Sequence, residues 1–182
     1  MTVPGDEALV QAATRFDDAF DARLERLRGH PVADGVFRAA SGLGDWSVIW
    51  LLVGAAWGLT SPRRTDRALR MVVLMGAESL VVNQGIKRLF GRARPTEAGD
   101  PRYPVRRPAT SSFPSGHASA GFFAATLLTE SEPMLAPLWF GLAGVVATSR
   151  AYVRIHHGSD IVAGAATGLA LAAVAKRLWP TP

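Results

Sequence analysis

Five apolar segments, each bounded or interrupted by charge, set the limits on what this chain can fold into. Residues 46–60 are uncharged, with Asp45 just before them and Arg63 and Arg64 just after. Residues 68–90 form a longer segment that contains Arg70, Glu78, Asn83 and Gln84. Residues 117–129 run into Glu130 and Glu132, and residues 134–148 run into Arg150. Residues 161–175 are rich in small side chains and end at Lys176-Arg177. A free-standing membrane span needs about 20 apolar residues, and most of these cores are shorter, so a buried soluble bundle is the competing architecture. The spanning architecture is preferred because helices extend past their apolar cores into polar flanks. Gly141, Gly144, Gly164 and Gly168 also supply small faces for close helix contact. The expected fold is all-α: an integral membrane helical bundle of about five transmembrane helices, with an N-terminal amphipathic helix.

That amphipathic helix is expected over residues 6–28, where Leu9, Ala12, Phe16, Phe20, Leu24 and Leu27 recur at helical spacing. Asp6 and Glu7 suit its first turn, Arg26 and Arg28 its last, and Gly29 with Pro31 stops it. Those two acids also stand where a secretory signal would be basic, so no signal peptide is expected. The helix either packs on the rest of the protein or lies on the bilayer. Residues 32–41 suggest a short second helix. The chain thus divides into an N-terminal helical segment, 1–41, and a membrane-embedded bundle, 42–182.

The net charge of +5 raises the question of a nucleic-acid partner. No basic stripe interleaved with aromatics appears, so anionic lipid headgroups are the expected counterpart and nucleic acid is not. With no cysteine, neither a disulfide nor a thiolate metal site is possible.

Chemistry concentrates in residues 149–160, which hold a cation (Arg150), an imidazole (His156) and a carboxylate (Asp160). If the chain is helical from His156 onward, His156 and Asp160 share a face four residues apart. The carboxylate then orients one ring nitrogen and leaves the other as an outward lone pair, the arrangement of an activated nucleophile. His157 would face elsewhere. Two further stretches look like partners. Lys87 and Arg94 stand seven apart and are followed by Pro95, and Pro114-Ser115-Gly116-His117 opens an apolar segment. Five successive spans would bring all three stretches to one membrane face.

The three stretches read KxxxxxxRP, PSGH and SRxxxxxHxxxD, in that order and without a substitution. This resembles the type 2 phosphatidate phosphatase superfamily, which includes membrane lipid phosphatases, soluble acid phosphatases and vanadium haloperoxidases. The match covers roughly residues 68–175. The resemblance implies the roles that the residues suggest by themselves. Lys87, Arg94 and Arg150 cradle a phosphate dianion, helped by the Ser115 hydroxyl and by backbone N–H groups near Gly116. His156 attacks phosphorus, His117 protonates the leaving oxygen and later activates water, and Asp160 fixes the His156 tautomer. The cations do what Mg²⁺ does elsewhere, so no metal and no other cofactor is expected.

The reaction expected is metal-independent hydrolysis of a lipid phosphate or diphosphate through a phosphohistidine. Phosphatidate, phosphatidylglycerophosphate and polyprenyl phosphates or diphosphates all fit. The alternatives are a soluble acid phosphatase or vanadate-dependent peroxidase, or a non-enzymatic protein that binds anionic lipid. Loop 96–113, with Arg102, Arg106 and Arg107, is expected to screen the headgroup or approach the membrane surface, and Glu78 has no assigned role. Arg63, Arg64, Arg67, Lys176 and Arg177 favour a cytoplasmic non-catalytic face, but Arg88, Arg92, Arg102, Arg106, Arg107 and Arg154 make the motif face basic too, so charge leaves the orientation open. The resemblance implies an active site facing the extracytoplasmic side of the cell inner membrane. Oligomeric state is left open.

Overall fold

The structure, a computed structural model, describes residues 4–96, 100–106 and 109–181, with side chains from Glu7 onward. Every regular element among them is helical. The helices are α1 (Pro4–Glu25), α2 (Pro31–Gly44), α3 (Val48–Gly58), α4 (Pro62–Leu80), α5 (Gly116–Ser131), α6 (Ala136–Tyr152) and α7 (Gly158–Leu178). Their starts follow local chemistry. Proline opens α2 and α4, where its missing N–H costs nothing. Ser61 and Ser115 cap α4 and α5 by accepting from the backbone N–H of Arg64 and Ala118. At α7, Asp160 reaches back to the N–H of His157 in a capping box. The side chain of Asp6, expected in the first turn of α1, lies outside the described residues.

Among the described residues, four helical stretches are long and apolar enough to cross a membrane: Pro31–Gly58, Pro62–Leu89, Pro133–Tyr152 and Gly158–Leu178. Only 22% to 39% of each apolar window is buried inside the protein. Leu52, Val73, Leu138 and Val162 accordingly point outward, a surface that suits lipid and not water. Helix α5, the remaining expected span, has 16 residues, nine of them buried, and packs against α4, α6 and α7. Its surroundings are other helices.

The stretch Pro31–Gly58 is broken at Asp45–Ser47, where Trp46 (φ 56°) and Ser47 (φ 59°) take the left-handed conformation. Both halves of α2 are tied to the same end of α6. Tyr152 donates to Asp34 at 2.5 Å, and Arg150 Nη1 donates to Ser41 Oγ at 2.5 Å. Helix α2 therefore runs along the end of the bundle that carries Arg150, and α3 turns away from it. At the opposite end, Arg64 pairs with Glu132 at 2.6 Å. Arg70 there pairs with Glu130 at 3.2 Å and donates to the carbonyl of Trp179. The start of α4, the end of α5 and the end of α7 thus sit together at the end of the bundle away from Arg150.

Helices α5 and α7 make the closest approach. A Cβ added at Gly164 would strike the Ser115 carbonyl, and one at Gly168 the Ser119 carbonyl. Gly141 and Gly144 do not make the close contact expected of them, because nothing lies within 4 Å of a Cβ at either. Helix α6 instead turns Ala143, Val146 and Ala147 inward. Gly168→Ala should therefore lower the thermal midpoint in detergent, since overpacking costs about 1–3 kcal/mol. Gly144→Ala should leave it unchanged or raise it slightly, because alanine is the better helix former. Equal midpoints for the two variants would contradict the packing described.

Candidate active site

The first motif reaches the site through an irregular end to α4. The helix widens into a π-helical turn, Val81–Gly85, and tightens into a 3-10 turn, Ile86–Leu89. Such turns rotate the residues after them about the helix axis and recur at functional sites. Here they carry Asn83 and Lys87 to Gly116. A Cβ at Gly116 would lie 3.1 Å from Asn83 Oδ1 and 3.7 Å from Lys87 Nζ. The glycine is what allows the Asn83 amide to come this close to the start of α5, with the Lys87 ammonium beside it.

The third motif leaves α6 through a tight turn, in which the N–H groups of Ile155 and His156 both bond to the Arg150 carbonyl. Helix resumes only at Gly158. The expectation of a helix beginning at His156 is therefore corrected: His156 lies in the turn and Asp160 in the first turn of α7. Their side chains still meet, with His156 Nδ1 3.4 Å from Asp160 Oδ2, an approach too poorly aligned to be a hydrogen bond. The other nitrogen, Nε2, is 3.5 Å from Arg94 Nη1. Burial pushes the His156 imidazole down to about 3, against the opposing pull of Asp160, and the charges of Arg94 and Lys87 push the same way. A neutral ring is the form that has a lone pair to offer.

His157 does not face elsewhere, as helical spacing had implied. As the N-cap of α7 it gives its N–H to Asp160 Oδ2 at 2.9 Å, and its ring Nδ1 lies 3.3 Å from the same oxygen. Arg92 Nη1 donates to Oδ1 at 2.6 Å. Asp160 is thus a fully buried hub for both histidines and an arginine.

Arg150 is 1% exposed. Its Nη1 is held by Ser41 and lies 3.6 Å from Asp45, while its Nε and Nη2 have no hydrogen-bond partner among the described residues. Buried donors are rarely left unpaired. His117 Nε2 lies 3.2 Å from Asp45 Oδ1 and 3.3 Å from the Ser41 carbonyl. A cavity of about 550 Å³ is bordered by Lys87, Gly116, His117, Arg150 and His156. Five of the eight expected site residues therefore line one space, Asp160 stands behind His156, and Arg94 touches it. Arg94 is further anchored to the carbonyls of Ile155 and Thr110. Ser115 is fully buried as the cap of α5 and is not part of the cavity wall.

Of the loop arginines, Arg106 borders the cavity and stacks 4.6 Å over Trp46. Arg102 is drawn away to Asp100 and Glu25, and Arg107 lies outside the described residues. Glu78 also borders the cavity and accepts a hydrogen bond from Ser119. Sequence reasoning missed Asp45, Ser41 and Arg92. Only Arg92 carries a local hint, standing two residues before Arg94 in the first motif.

Comparisons with known proteins point to one family. A sequence model of the PAP2 superfamily matches residues 67–182. A decaprenylphosphoryl-5-phosphoribose phosphatase of Mycolicibacterium smegmatis is 33% identical over 84% of this chain and 83% of its own length. A putative undecaprenyl-diphosphatase of Escherichia coli is 30% identical over 72% of this chain and 63% of its own. Among solved structures, a transmembrane PAP2-type phosphatidylglycerolphosphate phosphatase from Bacillus subtilis superposes with a TM-score of 0.68 at 25% identity. That alignment covers 93% of this chain and 86% of the other. Aquifex aeolicus LpxE shares the fold with a TM-score of 0.69 at 22% identity, over 88% and 93% of the two chains. Matches of this extent, on a site built from all three motifs, place the chain in the PAP2 superfamily as an integral membrane lipid phosphatase.

Proposed function

We propose that this phosphatase removes the terminal phosphate from a polyprenyl-linked lipid through a phosphohistidine at His156. The observation that carries the reading is Arg150, whose buried Nε and Nη2 stand unpaired at a cavity that His156 also borders. A phosphate dianion satisfies both donors, and Lys87 and Arg94 complete its charge balance. His156 Nε2 attacks phosphorus as the P–O bond to the lipid breaks. His117 passes its proton to the departing oxygen, then takes one from the water that cleaves the P–N bond. Asp45 holds the His117 ring, and Asp160 faces the positive charge that develops on His156. The transferring group is neutralised by side-chain cations, the part that metal ions play in other phosphoryl transfers.

The polyprenyl assignment rests on the relatives, whose names specify decaprenyl and undecaprenyl lipids. A sugar-phosphate headgroup, as in the decaprenylphosphoryl-5-phosphoribose enzymes, is favoured over a diphosphate. Its alkoxide leaving group needs a held acid such as His117, whereas a departing phosphate needs one far less. The site is taken to open on the extracytoplasmic side of the cell inner membrane, the orientation that the resemblance to integral family members implies; both ends of the bundle are basic, so charge does not decide it.

Phosphate release from a panel of lipid phosphates, measured in detergent, tests this function directly. Turnover should persist in chelator and be blocked by vanadate, which mimics the five-coordinate phosphoryl group. Complete loss in chelator, restored by Mg²⁺, would refute the mechanism.

The histidines should separate. His156→Ala should abolish turnover, leaving no nucleophile. His157→Ala keeps its backbone bond to Asp160 and loses only the ring contact. It should therefore retain activity reduced by about 10-fold, less than the roughly 10² that a misplaced reacting group costs. Equal losses in the two folded variants would reverse the assignment of the nucleophile.

His117→Ala should slow enzyme phosphorylation by a lipid phosphomonoester by about 10²–10⁴-fold, the usual worth of general acid help. Nitrophenyl phosphate, whose leaving group needs no proton, should be affected much less. Rapid-quench single-turnover measurements isolate that step. Equal factors for the two substrates would make His117 a phosphate binder and not the acid.

A further inference from the structure

Helix α1 turns three acids, Asp17, Asp21 and Glu25, toward the motif loops at a spacing of four residues. Asp21 and Glu25 pair with Arg28 and Arg154, and both are about half exposed. Asp17 differs. It is 7% exposed and accepts the Ser159 N–H at 2.7 Å, the Ser159 hydroxyl at 2.9 Å and Arg92 Nη2 at 2.5 Å. The opposite fork of the same guanidinium, Nη1, donates to Ser159 Oγ at 2.7 Å and to Asp160 Oδ1 at 2.6 Å. One guanidinium therefore joins a carboxylate on α1 to the carboxylate behind His156.

We propose that Asp17 is a positioning residue for phosphoryl transfer, acting through Arg92 to hold Asp160 against His156. The N-terminal helix is then a working part of the active site. The inference rests on the reading of His156 as the nucleophile. The His156–Asp160 approach, at 3.4 Å, is long and off-axis, so its alignment depends on what holds the carboxylate from behind. The backbone of Arg92 is pinned separately, by Ser111 and Ser112 at 3.2 Å and 3.1 Å. Releasing its side chain leaves the loop in place. Docking of α1 has independent support from Phe16 and Phe20 against Gly158 and from Arg28 on the carbonyls of Ala151 and Tyr152. The planar fork of arginine fixes the geometry of the bridge between the two carboxylates, which the compact, rotatable donors of a lysine ammonium do not.

The test is the rate of acid-labile phosphoenzyme formation, followed by rapid quench with a lipid phosphate in detergent. Asp17→Asn should slow it by about 10-fold or more, as expected when a reacting group is loosened, with the apparent affinity for substrate unchanged because the cradle is intact. Asp21→Asn, which disturbs the docking of α1 but not Arg92, should phosphorylate at the wild-type rate. Arg92→Lys should reproduce the rate loss with unchanged affinity, and it carries the test if Asp17→Asn does not fold. Adding Asp17→Asn to Arg92→Met should cost nothing further, the mark of two residues acting in series. A wild-type rate in Asp17→Asn, equal losses in Asp17→Asn and Asp21→Asn, or additive losses in the double variant would each overturn the proposal. Absence of any phosphoenzyme in the wild-type protein during turnover would instead overturn the phosphohistidine reading beneath it.

Discussion

The site exists because α7 lies directly on α5. Gly164 and Gly168 let the two backbones touch at the carbonyls of Ser115 and Ser119. The Ser115 N–H then bonds to the Asp160 carbonyl at 2.9 Å and locks the two helix starts side by side. Small residues are the usual means of such contact in a bilayer, where no hydrophobic effect drives helices together. From this one contact comes the meeting of the second motif with the third. It also sets the N-terminus of α5, a positive dipole end, at the cavity where the proposed anion would be held.

Around that contact the protein accepts two expensive features. Arg150 is buried with two nitrogens unpaired, and Trp46 and Ser47 are held in a left-handed conformation that costs of order 1–3 kcal/mol each. The two are connected. The bend at Trp46 aims Asp45 toward His117 and Arg150, and Ser41, one turn earlier on α2, anchors the remaining guanidinium nitrogen. The guanidinium is desolvated and aimed before any substrate arrives, which is how a low-dielectric site makes a charge count.

The motif residues were legible in the sequence because each is a local pattern, and an even alternation of spans must return them to one face. The helical, membrane-embedded character was legible from the apolar segments for the same reason. What escaped were pairings that depend on tertiary geometry. Asp45 precedes an apolar segment as any flanking acid would, and nothing local marks the bend that turns it inward. Asp17 reads as one more polar residue of an amphipathic helix. His157 was misplaced because the 3.6-residue period holds only within a helix, and the helix begins one residue after it. Gly141 and Gly144 share the small-residue pattern of Gly164 and Gly168, but composition alone cannot tell which side of a helix meets a partner.

The bend at Trp46–Ser47 has an evolutionary meaning. It belongs to the half of the site made by α2, α5 and α6, which on the proposed mechanism faces the departing group. His156, the proposed nucleophile, is backed by a second half, made by α1, α7 and the loop carrying Arg92. The two halves join along the α5–α7 contact. A descendant that takes a new lipid by reshaping the α2–α3 corner must therefore keep Asp45 and Ser41, which hold His117 and Arg150.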